Sequence, residues 1–340
     1  MRILNLKAQV VFANHKYLLS VIRKSQDSLE LVKIAYSSLK VETLHKFKGS
    51  RSLLLTRAND TYLVSIDNSL YISRDLIEWK RVLRLRPSNI IWHACNTSEG
   101  IIAQEYGEAP TRLYVSSNDY SWKPLLSNVD LDPKSRHFHY IAYDSYRDIV
   151  WITLGDGNLV RLAWVKIKGN RVKYEAAYRG PWQFVPIYIE ENKLILGMDS
   201  GIAPGGIGIY SPEKNSMNVT FLEWPGIRHA QMTHIAKVQE LWLATLGVPG
   251  AVITSKNLVT WYLIHVDRPI RCYNMMLSTK ENMTVVCTGN KLMIIPLLRI
   301  MNMLNARKAK KVMYKLSRTR ELILKLKGFA FILKRIEEYG

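Results

Sequence analysis

The amino-acid sequence predicts an all-β protein: a six- or seven-bladed β-propeller, with seven blades preferred, followed by a short basic α-helical C-terminal extension. Three observations predict this fold: short strand-like runs separated by turn residues, a recurring motif that ends in tryptophan, and an abrupt change of pattern near Pro296. The 340 residues are 48% hydrophobic and 22% charged, which is typical of a globular protein and excludes a disordered one.

Before Pro296 the chain consists of short runs rich in Val, Ile, Leu, Tyr and Trp, bounded by Gly, Asn, Asp and Ser. Ser52–Thr56, Tyr62–Ile66 and Glu240–Thr245 are examples of such runs. This composition is typical of strands with turns between them, and helical periodicity is almost absent. Strands spaced so regularly over about 300 residues indicate an internal repeat.

Three segments share the pattern Ser-x-Asp/Asn-x-x-x-Trp directly after a strand-like run. The first two serines are 43 residues apart, and the second and third are 139 apart, which is about three intervals of 46. A four-stranded antiparallel unit needs about 40 to 45 residues, so the interval matches one propeller blade. The motif residues are Ser73, Asp75 and Trp79, then Ser116, Asn118 and Trp122, then Ser255, Asn257 and Trp261.

The chemistry of the motif predicts a closed turn. Ser and Asp/Asn side chains can bond to nearby backbone groups, and the Trp can return to pack on the face of its own blade. The motif resembles the Asp-box hairpin of sialidase-like, BNR-repeat β-propellers over roughly residues 9 to 298. All three copies lack the Gly and one further residue that precede the Trp in the familiar form. The resemblance implies the fold and, more weakly, action on carbohydrates.

The repeat interval divides the chain into blades. Residues 271–298 supply three strands of the last blade, and we expect Met1–Leu6 to provide the fourth by pairing the two termini, which removes exposed sheet edges. Six blades is the alternative to seven. In both cases the propeller is predicted to span residues 1–298, and the basic helical tail is predicted to span residues 299–340. The other predicted blades span residues 9–47, 48–83, 84–128, 135–183, 184–224 and 225–267.

Propellers bind ligands at the mouth of the central channel, where the innermost strands and their loops converge. The first strand of each predicted blade carries polar or aromatic side chains, although a narrow channel favours small apolar ones. This pattern predicts a ligand-binding face, and the alternative is that polar residues lie at loop ends by accident. The predicted ligand-binding residues are Arg51, Trp92, His93, Trp182, Arg228, His229 and Arg271.

The resemblance to sialidases implies three arginines that clamp a carboxylate, because a guanidinium group binds carboxylate oxygens bidentately. It also implies a Tyr nucleophile paired with a Glu, and an Asp acid/base. The Arg-Ile-Pro-like start of those enzymes is absent, and arginines on solvated loops are the alternative. The matching residues are Arg51, Arg228 and Arg271 for the clamp, and Tyr273, Glu105 and Asp156 for the catalytic set.

His137 and His139 alternate on one predicted strand, so both imidazoles would project from the same face. With Asp156 they could hold a metal, or act as base and neutraliser in polysaccharide β-elimination. The alternative is two histidines bonded to neighbouring loops. The surrounding stretch is similar to a segment of BNR-type proteins associated with surface-polysaccharide genes. The sequence predicts neither a cofactor nor a structural metal, and its three distant cysteines indicate no disulfide framework.

The tail differs from the rest of the chain in charge and pattern. Residues 299–340 contain 12 Lys/Arg and 3 Glu, a net charge of +9 out of a total of +20. Helical spacing predicts an amphipathic helix that Gly328 would weaken or kink, and its basic and apolar residues suit an anionic membrane surface. The alternatives are packing against the propeller underside or another copy, and a nucleic-acid arm, which is disfavoured. The predicted apolar stripe is Val312, Leu316, Ile323, Leu326, Ala330 and Leu333.

The leading functional interpretation is binding or processing of an acidic oligo- or polysaccharide, in cell-surface polysaccharide metabolism. If catalytic, the protein would be a glycoside hydrolase or a polysaccharide lyase. The N-terminal residues show no signal-peptide pattern, so we expect a cytoplasmic protein that lies peripherally at the inner face of the membrane. The opposing interpretation is a non-catalytic protein-interaction scaffold, and the fold alone does not choose between the two.

Overall fold

The computed structural model describes residues 1–14, 16–116, 121–169, 171–266, 275–278, 283–287, 291–306 and 309–339. Almost all of the regular structure in these residues is β-strand. The elements are β1 (Arg2–Leu4), β2 (Ala8–Ala13), β3 (Tyr17–Arg23), β4 (Ser28–Ala35), β5 (Val41–Lys48), β6 (Leu55–Ala58), β7 (Thr61–Ile66), β8 (Ser69–Ser73), β9 (Lys80–Arg84), β10 (Ile90–Thr97), β11 (Gly100–Tyr106), β12 (Arg112–Ser116), β13 (Trp122–Ser127), α1 (Asn128–Leu131), β14 (His137–Asp144), β15 (Ile149–Gly155), β16 (Val160–Lys168), β17 (Arg171–Arg179), β18 (Phe184–Glu190), β19 (Lys193–Met198), β20 (Gly206–Ser211), β21 (Ser216–Glu223), β22 (Gln231–Val238), β23 (Leu241–Val248), β24 (Ala251–Ser255), β25 (Trp261–Val266), β26 (Met275–Ser278), β27 (Met283–Cys287), β28 (Leu292–Pro296), α2 (Leu297–Asn305), β29 (Lys311–Lys315) and α3 (Arg318–Tyr339).

Within the described residues, the strands form seven antiparallel sets of four, and β29 joins two of these sets into one sheet. The first strands of the sets are β2, β6, β10, β14, β18, β22 and β26. Each first strand contacts the next, and β26 contacts β2, so the innermost strands form a closed ring. This arrangement is a β-propeller, the fold class that the sequence predicts. We call each set a blade and number the blades in the order of these first strands.

The ring closes by pairing the two ends of the propeller. β1 runs antiparallel to β28, with Arg2 opposite Ile294 and Leu4 opposite Leu292. The N-terminal strand is therefore the outermost strand of the last blade, in the order β26, β27, β28, β1. The predicted pairing of the termini is confirmed, and it leaves β28 with a partner on both sides.

The apolar core lies between the blades. Among the described residues, seven clusters of buried side chains each join one blade to the next. In one cluster Val32 of the first blade packs with Val285 of the last, and in another Ile102 packs with Phe138. Because each blade is covered by two neighbours, most of its strand residues on both faces are apolar.

The Ser-x-Asp/Asn turns form as predicted where the structure describes them. After β8, Oδ1 of Asp75 accepts the backbone N–H groups two and three residues further on, at 2.8 and 2.9 Å. Oγ of Ser73 accepts the N–H of Leu76 at 2.9 Å, and Nε1 of Trp79 donates to the carbonyl of Leu76 at 3.1 Å. Asn257 forms the same two bonds after β24. Asn118 lies outside the described residues.

These turns explain how the motif functions without its usual glycine. Leu76 and Leu258 take the left-handed conformation, with φ of 70° and 64°. A leucine rarely adopts this conformation, and here the Asp75 or Asn257 side chain and the Trp indole hold the backbone on both sides. Of the motif tryptophans, Trp261 is fully buried, whereas Trp79 is half-buried.

The tail is helical only in part. β29 lies between the outermost strands of the fifth and sixth blades, with Lys315 opposite Leu222 and Met313 opposite Trp261. The helical stripe predicted through Val312 and Leu316 was therefore wrong at its start. Val312 is buried on this strand, because the two outer strands offer unpaired backbone groups that an extended segment can satisfy.

The tail begins within the helix α2, continues through β29 and ends with α3, which runs without a break through Gly328. Of the two predicted effects, weakening or kinking, the kink does not occur, because Gly328 is buried against the propeller, where the absence of a side chain allows close packing. No helix in the described part of the chain combines the length and apolarity needed to cross a bilayer.

Candidate functional site

One face of the disc carries the loops that precede the first strands. In the fourth blade His137, at the start of β14, pairs with Gly155, at the end of β15. Loops before first strands and loops after second strands therefore share this face, which we call the mouth face. His137, Asp156, Arg51 and Arg228 all lie on such segments.

Three of the predicted residues converge on the mouth face. His137, His139 and Asp156 each offer one ligand atom, and these atoms lie within 4.8 Å of one another. Nε2 of His137 lies 3.6 Å from Oδ2 of Asp156. The two imidazole rings are 5.1 Å apart, and a bulge in β14 lies between Phe138 and Tyr140. We call these three residues the mouth centre.

Backbone carbonyls fix both imidazoles of the mouth centre. Nδ1 of His137 bonds to the carbonyl oxygen of Gly107 at 3.2 Å, and Nδ1 of His139 bonds to that of Phe184 at 3.1 Å. A carbonyl only accepts hydrogen bonds, so each Nδ1 carries a hydrogen, and Nε2 is the ring nitrogen that can offer a lone pair. Gly155 makes room for His139, because a Cβ at position 155 would lie 1.7 Å from its Nε2.

The environment keeps the histidine neutral and the carboxyl ionised. Burial lowers the pKa of His137 to about 4, with a further contribution from the neighbouring His139. Burial acts to raise the pKa of Asp156, but the two imidazoles, a hydrogen bond from Gln183 and nearby Arg136 bring it below its usual value. At neutral pH, the centre therefore offers the Nε2 lone pair of His137 next to a carboxylate.

A buried arginine connects the mouth centre to α3. Nε2 of Gln183 donates to Oδ1 of Asp156 at 3.1 Å, and Arg161 donates to Oε1 of Gln183 at 3.2 Å. Burial lowers the pKa of Arg161 to about 10. The ring of Phe331 on α3 lies over the guanidinium group, 5.6 Å from ring centre to Cζ. The tail helix thus packs beside the centre on the mouth face, whereas the alternative drawn from the sequence placed it on the underside.

Three further rings line the channel below the mouth. Tyr140 on β14 lies 4.1 Å from His93 on β10 and 6.3 Å from His234 on β22, measured between ring centres. Burial lowers the pKa of His234 to about 4 and that of His93 well below its usual value, and it raises the pKa of Tyr140 to about 12. All three side chains are therefore uncharged at neutral pH.

The remaining predicted residues occupy several places. Glu105 is buried, and its carboxylate accepts bonds from Nδ2 of Asn89 at 2.7 Å and the N–H of Arg112 at 2.9 Å. Trp92 packs edge-on against Tyr106, with ring centres 4.6 Å apart. Arg271 and Tyr273 lie outside the described residues.

Trp182 and His229 belong to the same face but contact other groups. Trp182 packs edge-on against Phe221, with ring centres 4.8 Å apart, under α3. Nε2 of His229 lies 3.2 Å from Oδ1 of Asp199, and this bond raises the pKa of the imidazole. Nδ1 of His229 bonds to the carbonyl of Ala203 at 3.2 Å. This pair is similar to half of the mouth centre, with one imidazole instead of two.

The arginines predicted to form a clamp have different neighbours. Arg51 donates to the carbonyl of Ser88 at 3.3 Å, between the second and third blades. Arg228 lies in a groove of about 910 Å³ between α3 and the loops around Pro204 and Pro225. No described contact joins Arg51 to Arg228.

This groove contains functional candidates that the sequence did not identify. Arg320 and Lys327 of α3 line it together with Arg228, and Trp224 forms part of its wall. Glu223, the acidic residue of the wall, forms an ion pair with Arg320. The sequence favoured a membrane surface for the basic residues of the tail, with packing against the propeller as an alternative, and it did not connect them with Arg228.

The comparisons with known proteins identify the fold. No family profile and no curated protein sequence matches this chain. A catalytically inactive virginiamycin B lyase from Staphylococcus aureus, solved with quinupristin, aligns over 87% of this chain and 98% of its own at 12% identity, with a TM-score of 0.57. The N-terminal domain of Nup159 aligns over 85% and 89% at 10% identity, with a TM-score of 0.54. A chain of the mitotic checkpoint complex aligns over 87% and 93% at 9% identity, with a TM-score of 0.61. The neighbours are β-propellers, some lyase-like and some protein-binding.

Proposed function

We propose that the mouth face binds an acidic glycan in the groove between α3 and the loops of the fifth and sixth blades. One observation carries this proposal: Arg228, Arg320 and Lys327 line the groove, and the acidic Glu223 is paired with Arg320. The groove therefore has a net positive charge, which suits the carboxylates of uronates or sialates. Its volume of about 910 Å³ is enough for a short oligosaccharide.

Two further features support a sugar over other anions. Trp224 offers an apolar ring surface against which a pyranose ring can pack, and Arg228 offers a planar fork that binds a carboxylate with two bonds. The resemblance of the Ser-x-Asp/Asn turns to the hairpins of sialidase-like propellers supports the same class of ligand. The mouth centre lies on the same face, next to the C-terminal part of α3.

Binding of defined glycans tests the proposal directly. In calorimetry, we expect the full chain to bind uronate- and sialate-containing oligosaccharides and to show no binding of neutral oligosaccharides of equal length. Arg228→Lys should weaken binding by about tenfold, because a point charge cannot reproduce the bidentate fork. Arg84→Gln, on the exposed outer strand β9, is the matched control and should bind like the wild type. The same glycans should be followed for cleavage.

Two results would contradict the proposal. Equal affinity for neutral and acidic glycans would show that the basic groove does not select the ligand. The absence of all glycan binding, together with stable capture of a protein partner that Arg228→Lys disrupts, would favour the interaction-scaffold interpretation.

A further inference from the structure

We propose that the mouth centre binds a divalent transition-metal ion through Nε2 of His137, Nε2 of His139 and a carboxylate oxygen of Asp156. This site is separate from the groove, and the inference does not depend on glycan binding. The three ligand atoms already lie within 4.8 Å of one another. Atoms that bind one tetrahedral zinc-like ion at about 2.1 Å lie about 3.4 Å apart, so the ligand atoms must move closer by about an ångström to complete the site.

The second shell of the site is present. Metal-binding histidines usually donate their other ring N–H to a carbonyl or carboxylate, which orients the ring and fixes the tautomer. Both histidines here make such bonds, to Gly107 and Phe184. Gln183 holds the other oxygen of Asp156. The side chain of Asp156 is 41% exposed, so it is able to rotate the remaining distance towards the imidazoles.

The donor set selects the class of metal. Two imidazole nitrogens and one carboxylate suit Zn²⁺, Co²⁺, Ni²⁺ or Fe²⁺, whereas Mg²⁺ and Ca²⁺ prefer oxygen ligands. Three protein ligands also leave a coordination position open, and the exposed side of Asp156 directs it towards the mouth. Sites with an open position bind water or substrate, in contrast to closed structural zinc sites.

Cobalt titration tests the site without any assumption about the substrate. Untagged, chelator-treated full-length protein should bind one Co²⁺, with visible d–d absorption that Zn²⁺ abolishes by competition and that Mg²⁺ or Ca²⁺ leaves unchanged. Asp156→Asn should weaken Co²⁺ binding by at least about tenfold. Asn tolerates the left-handed backbone at this position, where φ is 55°, so this variant should keep its fold. His139→Gln should abolish the absorption.

A further disruptive variant and a matched control complete the Co²⁺ experiment. Gly155→Ala should also reduce Co²⁺ affinity, because its Cβ displaces the His139 imidazole. His229→Gln is the matched control: His229 contacts a carboxylate and a backbone carbonyl but has no second imidazole beside it, so this variant should bind Co²⁺ normally. Absence of Co²⁺ binding by the wild type, or equal binding by a folded Asp156→Asn, would overturn the inference. If Co²⁺ binds and acidic glycans do not, only the proposed function fails.

A second, independent observation concerns the outer face of α3. Six large apolar side chains on α3 are between 47% and 63% exposed, and all but Ile323, which lines the groove, form one row. The spacing within this row, of four, three, four and three residues, places its members on one stripe, opposite the buried Leu324 and Gly328. The stripe consists of Leu322, Leu326, Phe329, Leu333 and Ile336.

We propose that this stripe binds an anionic membrane surface. α3 carries six basic and three acidic residues, and Lys325 and Lys334 flank the stripe, whereas Lys327 lines the groove. Lysine side chains at the edge of an apolar face extend towards lipid head groups, and the net positive charge disfavours pairing with the same helix of a second copy. Because α3 lies on the mouth face, membrane binding would bring the groove close to the lipid surface.

Vesicle binding distinguishes this inference from helix pairing. The full chain should co-sediment with phosphatidylserine-containing vesicles, remain free with phosphatidylcholine vesicles, and dissociate as salt rises. Leu326→Asp and Phe329→Asp should each reduce binding at least about tenfold, since both side chains face away from the propeller. Ile77→Asp is the matched control, because Ile77 is similarly exposed but lies on the turn after β8. Equal binding by all variants, or a dimer that Leu326→Asp dissociates, would overturn the inference.

Discussion

Gly328 on α3 lies directly against the indole ring of Trp182, in the loop before β18. A Cβ at position 328 would come within 2.7 Å of a Trp182 ring carbon and within 2.9 Å of Pro181. Only a residue without a side chain fits this contact, so the glycine sets how closely the helix approaches the propeller. The contact accounts for a glycine in the middle of a 22-residue helix, where it costs about 1 kcal/mol relative to alanine.

Gly328→Leu should release α3 from the mouth face. Four additional carbon atoms have no room between the helix and Trp182, and moving the ring would also disturb its packing on Phe221. We expect limited proteolysis to cleave the tail of this variant much faster than that of the wild type, while the propeller stays intact.

Ala330→Leu is the control for that experiment, because Ala330 is an exposed residue of the same helix. It adds a larger side chain without a clash against Trp182, so the tail should remain as resistant as in the wild type. Equal cleavage rates in the Gly328→Leu variant and the control would show that the helix does not depend on this contact.

The motif tryptophans should differ in their contribution to stability. Trp261→Ala should lower the free energy of unfolding by about 3–5 kcal/mol, since this indole is fully buried between two blades. Trp79→Ala should cost clearly less, because its indole is half-buried at the edge of its cluster. Denaturant unfolding of both variants measures the difference. If both variants lost the same free energy of unfolding, the burial of each tryptophan would not determine its contribution to stability.

Most of the fold could be predicted because its signals are local. Strand composition, turn residues and the interval between Ser73 and Ser116 depend on nearby residues. The pairing of the two termini follows from the number of strands, because the last blade lacks a fourth strand of its own. β29 was missed because Lys311–Lys315 is a short basic segment without alternation, and it becomes a strand only through pairing with β21 and β25. That pairing is a tertiary effect with no local signal.

The site could be predicted only where one strand determines it. His137 and His139 are two residues apart on β14, so their rings stay close although a bulge interrupts the pairing between Phe138 and Tyr140, and Asp156 follows the adjacent strand. The partners of Arg228 in the groove were not predictable, because Arg320 and Lys327 are about a hundred residues away and reach it through the docking of α3. Contacts of this kind depend on packing, which a single sequence does not display.

Acid should destabilise the protein through the channel histidines, and His234 allows this to be measured. An unfolded histidine titrates near 6.5, whereas folded His234 has a pKa of about 4. Between these values the unfolded state binds the proton more readily, so stability is full above pH 6.5 and falls as the pH drops towards 4. At pH 5 the protonation of His234 in the unfolded state alone lowers the free energy of unfolding by about 2 kcal/mol.

His234→Gln should therefore lose less stability than the wild type between pH 7 and pH 5, as measured by denaturant unfolding at each pH. His229→Gln is the matched control, because the bond to Asp199 raises the pKa of His229. The contribution of His229 to stability therefore changes with pH in the direction opposite to that of His234. His229 stabilises the fold fully at pH values below 6.5, and this contribution disappears as the pH rises through the raised value. Removing His229 should accordingly steepen the loss of stability in acid while removing His234 flattens it. If both substitutions shifted the pH dependence in the same direction, a general effect of charge would explain acid sensitivity better than the buried imidazole of His234.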